Sequence, residues 1–294
     1  MELVPVLIAP FRLVSQAAVT LDTEVGRSRL NKGVIMEFQD ILYEKKDGVA
    51  KITINRPQAY NAFTTRTLKD IAQALTDAEL DSDIGVVVLT GTGDKAFCVG
   101  GDIKEADQPG GYNKEMNYWH ADLHRRIRNI PKPVIAAVNG YAIGGGHVLH
   151  LICDLTIASE NAKFGQAGPR VGSFDCGFGV AYLARIVGEK KAREIWFLCR
   201  QYTAQEALEM GLVNKVVPKD KLGEEVDAWC REILSLSPTA LKFCKLAFNA
   251  ETDHMLGFEA WSEATVRLFW DAKEAEEAKN AFREKRKPDF SQFR

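Results

Sequence analysis

The stretch KPVIAAVNGYAIGGGHVLHLICDLTIASENAKFGQAGPRVGSFD, residues 132–175, decides the fold. Its apolar run at 134–138 reads as a strand, followed by Asn139-Gly140 and the triplet Gly144, Gly145 and Gly146. An apolar segment at 147–153 then reads as a helix. Strand, glycine turn and helix in that order leave free backbone N–H groups at a helix N-terminus, where negative charge is favoured. A phosphate loop would add Lys-Ser or Lys-Thr after the glycines, and His147-Val148 stand there instead. A developing oxyanion is the better match to such donors. A further apolar run at 154–158 ends in a polar turn, and the stretch closes on Ser173 and Asp175.

Upstream, residues 1–35 show no clear period and read as a loosely attached or disordered arm, or as sequence ahead of the true start at Met36. An arm packed on a neighbouring subunit is the alternative. From Met36 the text becomes regular. Strands are expected at 41–44 and 49–54 around a Lys-Asp-Gly turn, then a helix at 64–80 on the spacing of Leu68, Ile71, Ala72 and Leu75. The uniformly apolar 86–89 reads as a strand buried on both faces. A short run at 96–99 ends in Gly100-Gly101-Asp102, and the polar residues 103–113 read as a mobile loop. A helix is expected at 114–129, stopped by Ile130-Pro131.

Downstream, helices are expected at 179–187, 190–199, 204–210, 221–234 and 238–249, with one strand at 213–217. A single long helix at 257–283 carries apolar residues on more than one face, a pattern often shared with a partner subunit. Strands alternating with helices, then a helical last third, predict an α/β fold with right-handed crossovers.

Composition narrows the function. The chain has 294 residues, 46% hydrophobic and 27% charged, with a net charge of −2, so neither nucleic acid nor an anionic membrane is indicated as partner. No apolar run approaches the roughly 20 residues needed to span a bilayer, and Glu2 replaces the basic start of a signal peptide. Cys98, Cys153, Cys176, Cys199, Cys230 and Cys244 show no CxxC pair and no metal-ligand spacing. They read as reduced thiols of a cytoplasmic protein, and no metal site is expected. Two glycine turns, at Gly100-Gly101 and Gly144–Gly146, each follow an apolar run. On neighbouring strands, one N–H from each could meet at one oxygen; as isolated features both are simply tight turns.

NRPxxxNA at 55–62, AFCVGGD at 96–102, PKPVIAAVNGYAIGGG at 131–146 and FGQ at 164–166 resemble the crotonase (enoyl-CoA hydratase/isomerase) superfamily over about residues 36–294. The resemblance implies a ClpP-like spiral of ββα units over 36–218, with a helical C-terminal oligomerisation region at 219–294. It further implies trimers or hexamers and a CoA-thioester substrate whose carbonyl is held by the N–H groups of Gly101 and Gly145. CoA is then part of the substrate, and no other organic cofactor is implied.

Hydratases of that superfamily place a Glu two residues after the glycine triplet and another two after FGQ. Val148 and Gly168 stand there. Hydration needs carboxylates to activate water and deliver a proton. GQAGPRVGSFD at 165–175, KKAREIWFLCRQY at 190–202 and KRKPDFSQF at 285–293 are instead similar to naphthoate (1,4-dihydroxy-2-naphthoyl-CoA) synthases. These lyases close a ring on o-succinylbenzoyl-CoA in menaquinone biosynthesis by Dieckmann condensation. The similarity implies proton handling by Ser173 and Asp175 and substrate orientation by Tyr112. A bicarbonate base would rest among Gln166, Ala167, Gly168 and Trp196. Tyr60, Val99, Gly100, Asp102, Ile103, Lys104, Tyr141, Ile143, Gly144, Trp270 and Lys285 would contact substrate or CoA, the lysines at its phosphates.

Several positions depart from the synthase pattern. Ile103, Ala106, Ala167, Trp270 and Tyr60 replace Gln, Arg, Thr, Tyr and Arg. Losing those polar groups suggests a less polar substrate, as in the related ring-opening 2-ketocyclohexanecarboxyl-CoA hydrolases of alicyclic and aromatic degradation. His147 and RQY at 200–202 favour the synthase, which is set first and the hydrolase second. A non-catalytic crotonase-fold binding protein is the reading from a different class.

Overall fold

The computed structural model describes residues 37–106, 108, 112–174 and 177–294. The N-terminal arm expected at 1–35 lies outside these, as do Asp175 and Cys176.

Ten strands form two sheets. They are β1 (Ile41–Lys46), β2 (Val49–Ile54), β3 (Val86–Gly91), β4 (Ala96–Cys98), β5 (Val134–Val138), β6 (Tyr141–Ile143), β7 (Leu155–Ser159), β8 (Lys163–Gly165), β9 (Gln201–Thr203) and β10 (Lys215–Val217). The larger sheet runs β1-β2-β3-β5-β7-β10, with only the β1–β2 hairpin antiparallel. The smaller runs β4-β6-β8-β9. The pairs β3–β4, β5–β6 and β7–β8 each give one strand to each sheet, and a helix follows each pair. This repeat is the spiral of ββα units expected from the sequence.

The strands over 86–89 and 134–138 are apolar throughout because they are buried on both faces. Val87, Leu89, Val134, Ala136 and Val138 join the main core. Val86, Val88, Ile135 and Ala137 point the other way, onto Val226 and Cys230 of helix Leu222–Leu234. Alternate residues of a strand face opposite sides, so a sheet covered by helices on both loses its polar alternation.

Helix Thr65–Leu80 starts at a reciprocal capping box between Thr64 and Thr67, and it buries Leu68, Ile71, Ala72, Leu75 and Ala78. Helix Lys114–Asn129 starts at Asn113, whose side chain accepts from Glu115 N and Met116 N. Helix Pro238–Glu251 is pinned by Lys245, which donates to Asp154 Oδ2 at 2.6 Å and to the carbonyls of Ile127 and Lys132 at 3.1 Å. Burial pushes the Asp154 carboxyl up while Lys245 pulls it down.

Three expectations are corrected. The helix at 257–283 is two helices, Leu256–Trp270 and Lys273–Arg283, because Ala272 is extended and caps the second. The turn sends Ala275 and Ala278 onto Gly172, at φ 74°, where a Cβ would lie 2.7 Å from Ala275 O. Residues 103–113 are not all loop: Ile103–Ala106 forms one helical turn, with Lys104 N and Glu105 N donating to the Asp102 side chain and carbonyl. The short strands β6, β8 and β9 were absent from the sequence reading, since three residues are too few to show a period.

Candidate active site

β4 and β6 are neighbours, so the glycine turns that end them come together. Each of the later glycines is needed for its own reason. Gly144 has φ 57°, a Cβ on Gly145 would strike the Phe63 ring at 2.8 Å, and one on Gly146 would lie 1.9 Å from Cys98 O. A Cβ on Gly100, at φ 93°, would stand 3.0 Å from Gly145 N.

Phe63 and Gly101 form an isolated parallel bridge. Phe63 N donates to Gly100 O and Asp102 N donates to Phe63 O, both at 2.8 Å. The bridge uses groups on either side of Gly101 and leaves the Gly101 N–H outside it. Gly145 opens helix Gly145–Ile152, so its N–H has no intrahelical acceptor. Among the described residues neither N–H has an acceptor, and two such donors on adjoining turns have the arrangement of an oxyanion hole.

Both turns line a cavity of about 740 Å³. Tyr60, Val99, Asp102, Ile103, Lys104 and Ile143 lie on its wall, with Trp270 and Lys285 from the C-terminal segment. Tyr141 does not: it is exposed on β6. The Tyr112 hydroxyl stands against Gly101, since a Cβ there would meet it at 2.2 Å, and its ring lies 5.1 Å from that of Trp270. Arg56 holds the Asp102 carboxylate at 2.8 Å and also donates to Ala62 O. The first motif, NRP, thus braces the second, GGD.

Gln166, Ala167, Gly168, Ser173 and Trp196 share the same wall. The Trp196 indole N–H is buried with no hydrogen-bond partner among the described residues. The Gln166 amide sits 3.2 Å from His147 Nδ1, and burial pushes that imidazole down to about 3. An unpaired indole donor and a buried amide on one cavity wall are donor types that a small anion such as bicarbonate takes. Gly168 itself has another reason to lack a side chain, because a Cβ there would lie 3.0 Å from Ser173 O and 3.1 Å from Phe174 Cα. His147 and His150 are only half-satisfied as core histidines, each with an Nε2 that has no partner among the described residues.

Phe63, His120 and Glu263 also line the cavity and were missed from sequence. His120 Nδ1 lies 2.8 Å from Glu263 Oε1, across 143 residues of chain. No local spacing connects them. A readable signal was the row of polar residues Asn117, His120 and His124 on the buried face of helix Lys114–Asn129.

The geometry agrees with comparison to known proteins. Residues 44–293 match the family model described as enoyl-CoA hydratase/isomerase. An enoyl-CoA hydratase from Mycobacterium avium subsp. paratuberculosis K-10 is 32% identical, with 87% of this chain and 100% of that one covered and a TM-score of 0.79. Carnitinyl-CoA hydratase from Mycobacterium avium is 35% identical over 86% of this chain and 99% of that one, at TM-score 0.76. An enoyl-CoA hydratase/isomerase from Xanthobacter autotrophicus Py2 is 36% identical over 84% and 93%, at TM-score 0.73.

The chain belongs to the enoyl-CoA hydratase/isomerase family, the crotonase superfamily, and its site is that of an enzyme acting on CoA thioesters. No helix among the described residues is long and apolar enough to cross a membrane.

Proposed function

We propose that this enzyme makes or breaks a C–C bond beside a CoA thioester by Dieckmann (Claisen) chemistry. The favoured reaction is closure of o-succinylbenzoyl-CoA to 1,4-dihydroxy-2-naphthoyl-CoA, a step of menaquinone biosynthesis. One observation carries the reading: the oxyanion hole opens on a cavity whose wall bears Val148 and Gly168 where the hydratases it resembles carry Glu. Without those carboxylates, water has no base at the positions hydration uses, while the hole still stabilises a thioester enolate.

In this reading Gly101 and Gly145 bind the thioester oxygen and Tyr112 moves a proton beside it. Ser173 and Asp175 serve the condensing carbonyl. Gln166, Gly168 and Trp196 would hold bicarbonate, which when bound supplies a base. Lys104 and Lys285 meet the CoA phosphates as point charges. Self-association as a trimer or hexamer belongs to the same reading, supported by exposed Phe197, Phe248 and Leu268.

A second reading, ring-opening hydrolysis of a 2-oxocycloalkane-carboxyl-CoA, is favoured by Ile103, Ala106 and Trp270 on the cavity wall, which suit an alicyclic ring. The test presents o-succinylbenzoyl-CoA and 2-oxocyclohexanecarboxyl-CoA side by side in anaerobic bicarbonate buffer, read by mass spectrometry. Loss of water from the first supports the synthase, and gain of water by the second supports the hydrolase. Hydration of crotonyl-CoA with neither thioester reacting would overturn both.

A further inference from the structure

We propose that His120, oriented by Glu263, is a proton-transfer group for the acyl end of the substrate, separate from the oxyanion hole. The assignment rests on the C–C bond reading above and adds a catalytic group to it. Helices Lys114–Asn129 and Leu256–Trp270 bring the two side chains together at 2.8 Å, and both face the cavity. Their side chains are 10% and 12% exposed, so the pair is sheltered yet reachable. A carboxylate at Nδ1 keeps the proton there and turns the Nε2 lone pair outward. Among the described residues His120 Nε2 has no hydrogen-bond partner, and it is not sealed in the interior as both ring nitrogens of His124 are.

Position gives the role. The His120 ring lies 5.9 Å from that of Phe63, which itself packs against the hole glycines. A base one ring away from the hole reaches atoms of the acyl group rather than the thioester oxygen. His124 stacks on His120 at 4.1 Å and is held neutral by burial. Glu259 is pushed up by burial, with Arg125 4.0 Å away, and Tyr112 stands against Gly101. The pair also supplies polarity to a wall where Ile103, Ala106 and Trp270 offer none for binding charge.

The chemistry balances in either direction. In ring opening, water adds to the ring ketone and gives its proton to His120 Nε2. The bond between the ketone carbon and the α-carbon breaks, and its electron pair becomes the thioester enolate in the hole. The α-carbon then takes a proton from the Tyr112 side, yielding an ω-carboxyacyl thioester, and the imidazolium proton returns through solvent. In ring closure the enolate forms the same bond, and protonated His120 supplies the proton with which the hydroxyl leaves as water.

The experiment compares wild type, His120→Gln and Glu263→Gln on whichever of the two thioesters wild type converts. It measures turnover, thioester affinity, α-proton exchange into deuterated water and the pH profile. We expect His120→Gln to lose about 10²–10⁴-fold in kcat, with affinity and α-exchange retained because the hole and Tyr112 are untouched. Glu263→Gln keeps the hydrogen bond, removes the charge and displaces one limb of the pH profile, which a packing role would not do. Wild-type turnover in His120→Gln, or a loss confined to affinity, overturns the assignment and leaves the C–C bond reading standing. Failure of wild type itself to convert either thioester fails that reading, and the assignment with it.

Discussion

Arg56 donates through Nη2 to the Asp102 carboxylate at 2.8 Å, with 16% and 10% of the two side chains exposed. The pair joins the turn after β2 to the loop that carries Gly101. Asp102 in turn caps the helical turn Ile103–Ala106 and pairs its N–H with Phe63 O. Removing one partner from a sheltered ion pair leaves the other charge uncompensated, at a cost of about 3–5 kcal/mol for a fully buried pair and less here. Arg56→Met is therefore expected to lower both urea stability and kcat, since the Gly101 donor loses its brace. Unchanged kcat in a destabilised variant would confine Arg56 to a folding role.

Gly101 has no positive φ that would bar a side chain; what bars one is the Tyr112 hydroxyl, 2.2 Å from where a Cβ would sit. Gly101→Ala should therefore fold normally, because only the far end of one side chain must move. Its kcat should fall by about 10²-fold as the donor and Tyr112 are displaced together. Thermal melting and steady-state kinetics measured on one preparation check both halves.

Burial holds three imidazoles neutral: His147 is pushed down to about 3, and His124 and His150 fall well below 6.5. The unfolded chain takes up these protons first, so their contribution to stability is whole above about pH 6.5 and is lost as the pH falls through the folded values. Urea midpoints should drop from pH 7.5 to pH 5, and His150→Gln should reduce the slope. A pH-independent midpoint in wild type would refute the prediction.

Glu277 accepts from Arg286 at 2.5 and 2.9 Å and from Asp289 N at 2.8 Å, chiefly the arginine holding its carboxyl down at about 2. This bracket encloses Lys285, a cavity residue in the left-handed region at φ 55°. Glu277→Gln should raise KM for the CoA thioester with kcat retained, as expected when binding is lost equally from ground and transition states. In wild type the bracket is intact above about pH 4.5 and loosens as the pH falls towards 2, which limited acid proteolysis of the C-terminal segment would detect.

Much of the fold was legible. Val86–Gly91 and Val134–Val138 are apolar on both faces because helices cover both, and Leu68, Ile71 and Leu75 recur at the helical period. The glycine turns could be read because Gly100 and Gly144 take positive φ and Gly146 packs against the Cys98 carbonyl, where other residues are strained or excluded. The three-residue strands β6, β8 and β9 were invisible, and the break at Ala272 could not be seen because it follows from packing on Gly172 rather than from a local stop residue.

Sequence alone determined the strand–glycine–helix units, the absence of the hydratase carboxylates at Val148 and Gly168, and the family resemblance. Each is written in neighbouring residues, where periodicity and backbone sterics act locally. Only the tertiary structure decided that the turns after β4 and β6 adjoin, that Tyr112 stands at Gly101, and that His120 meets Glu263. Those contacts join positions far apart in the chain. They depend on how sheets and helices stack to bury apolar surface, and no local pattern records that outcome.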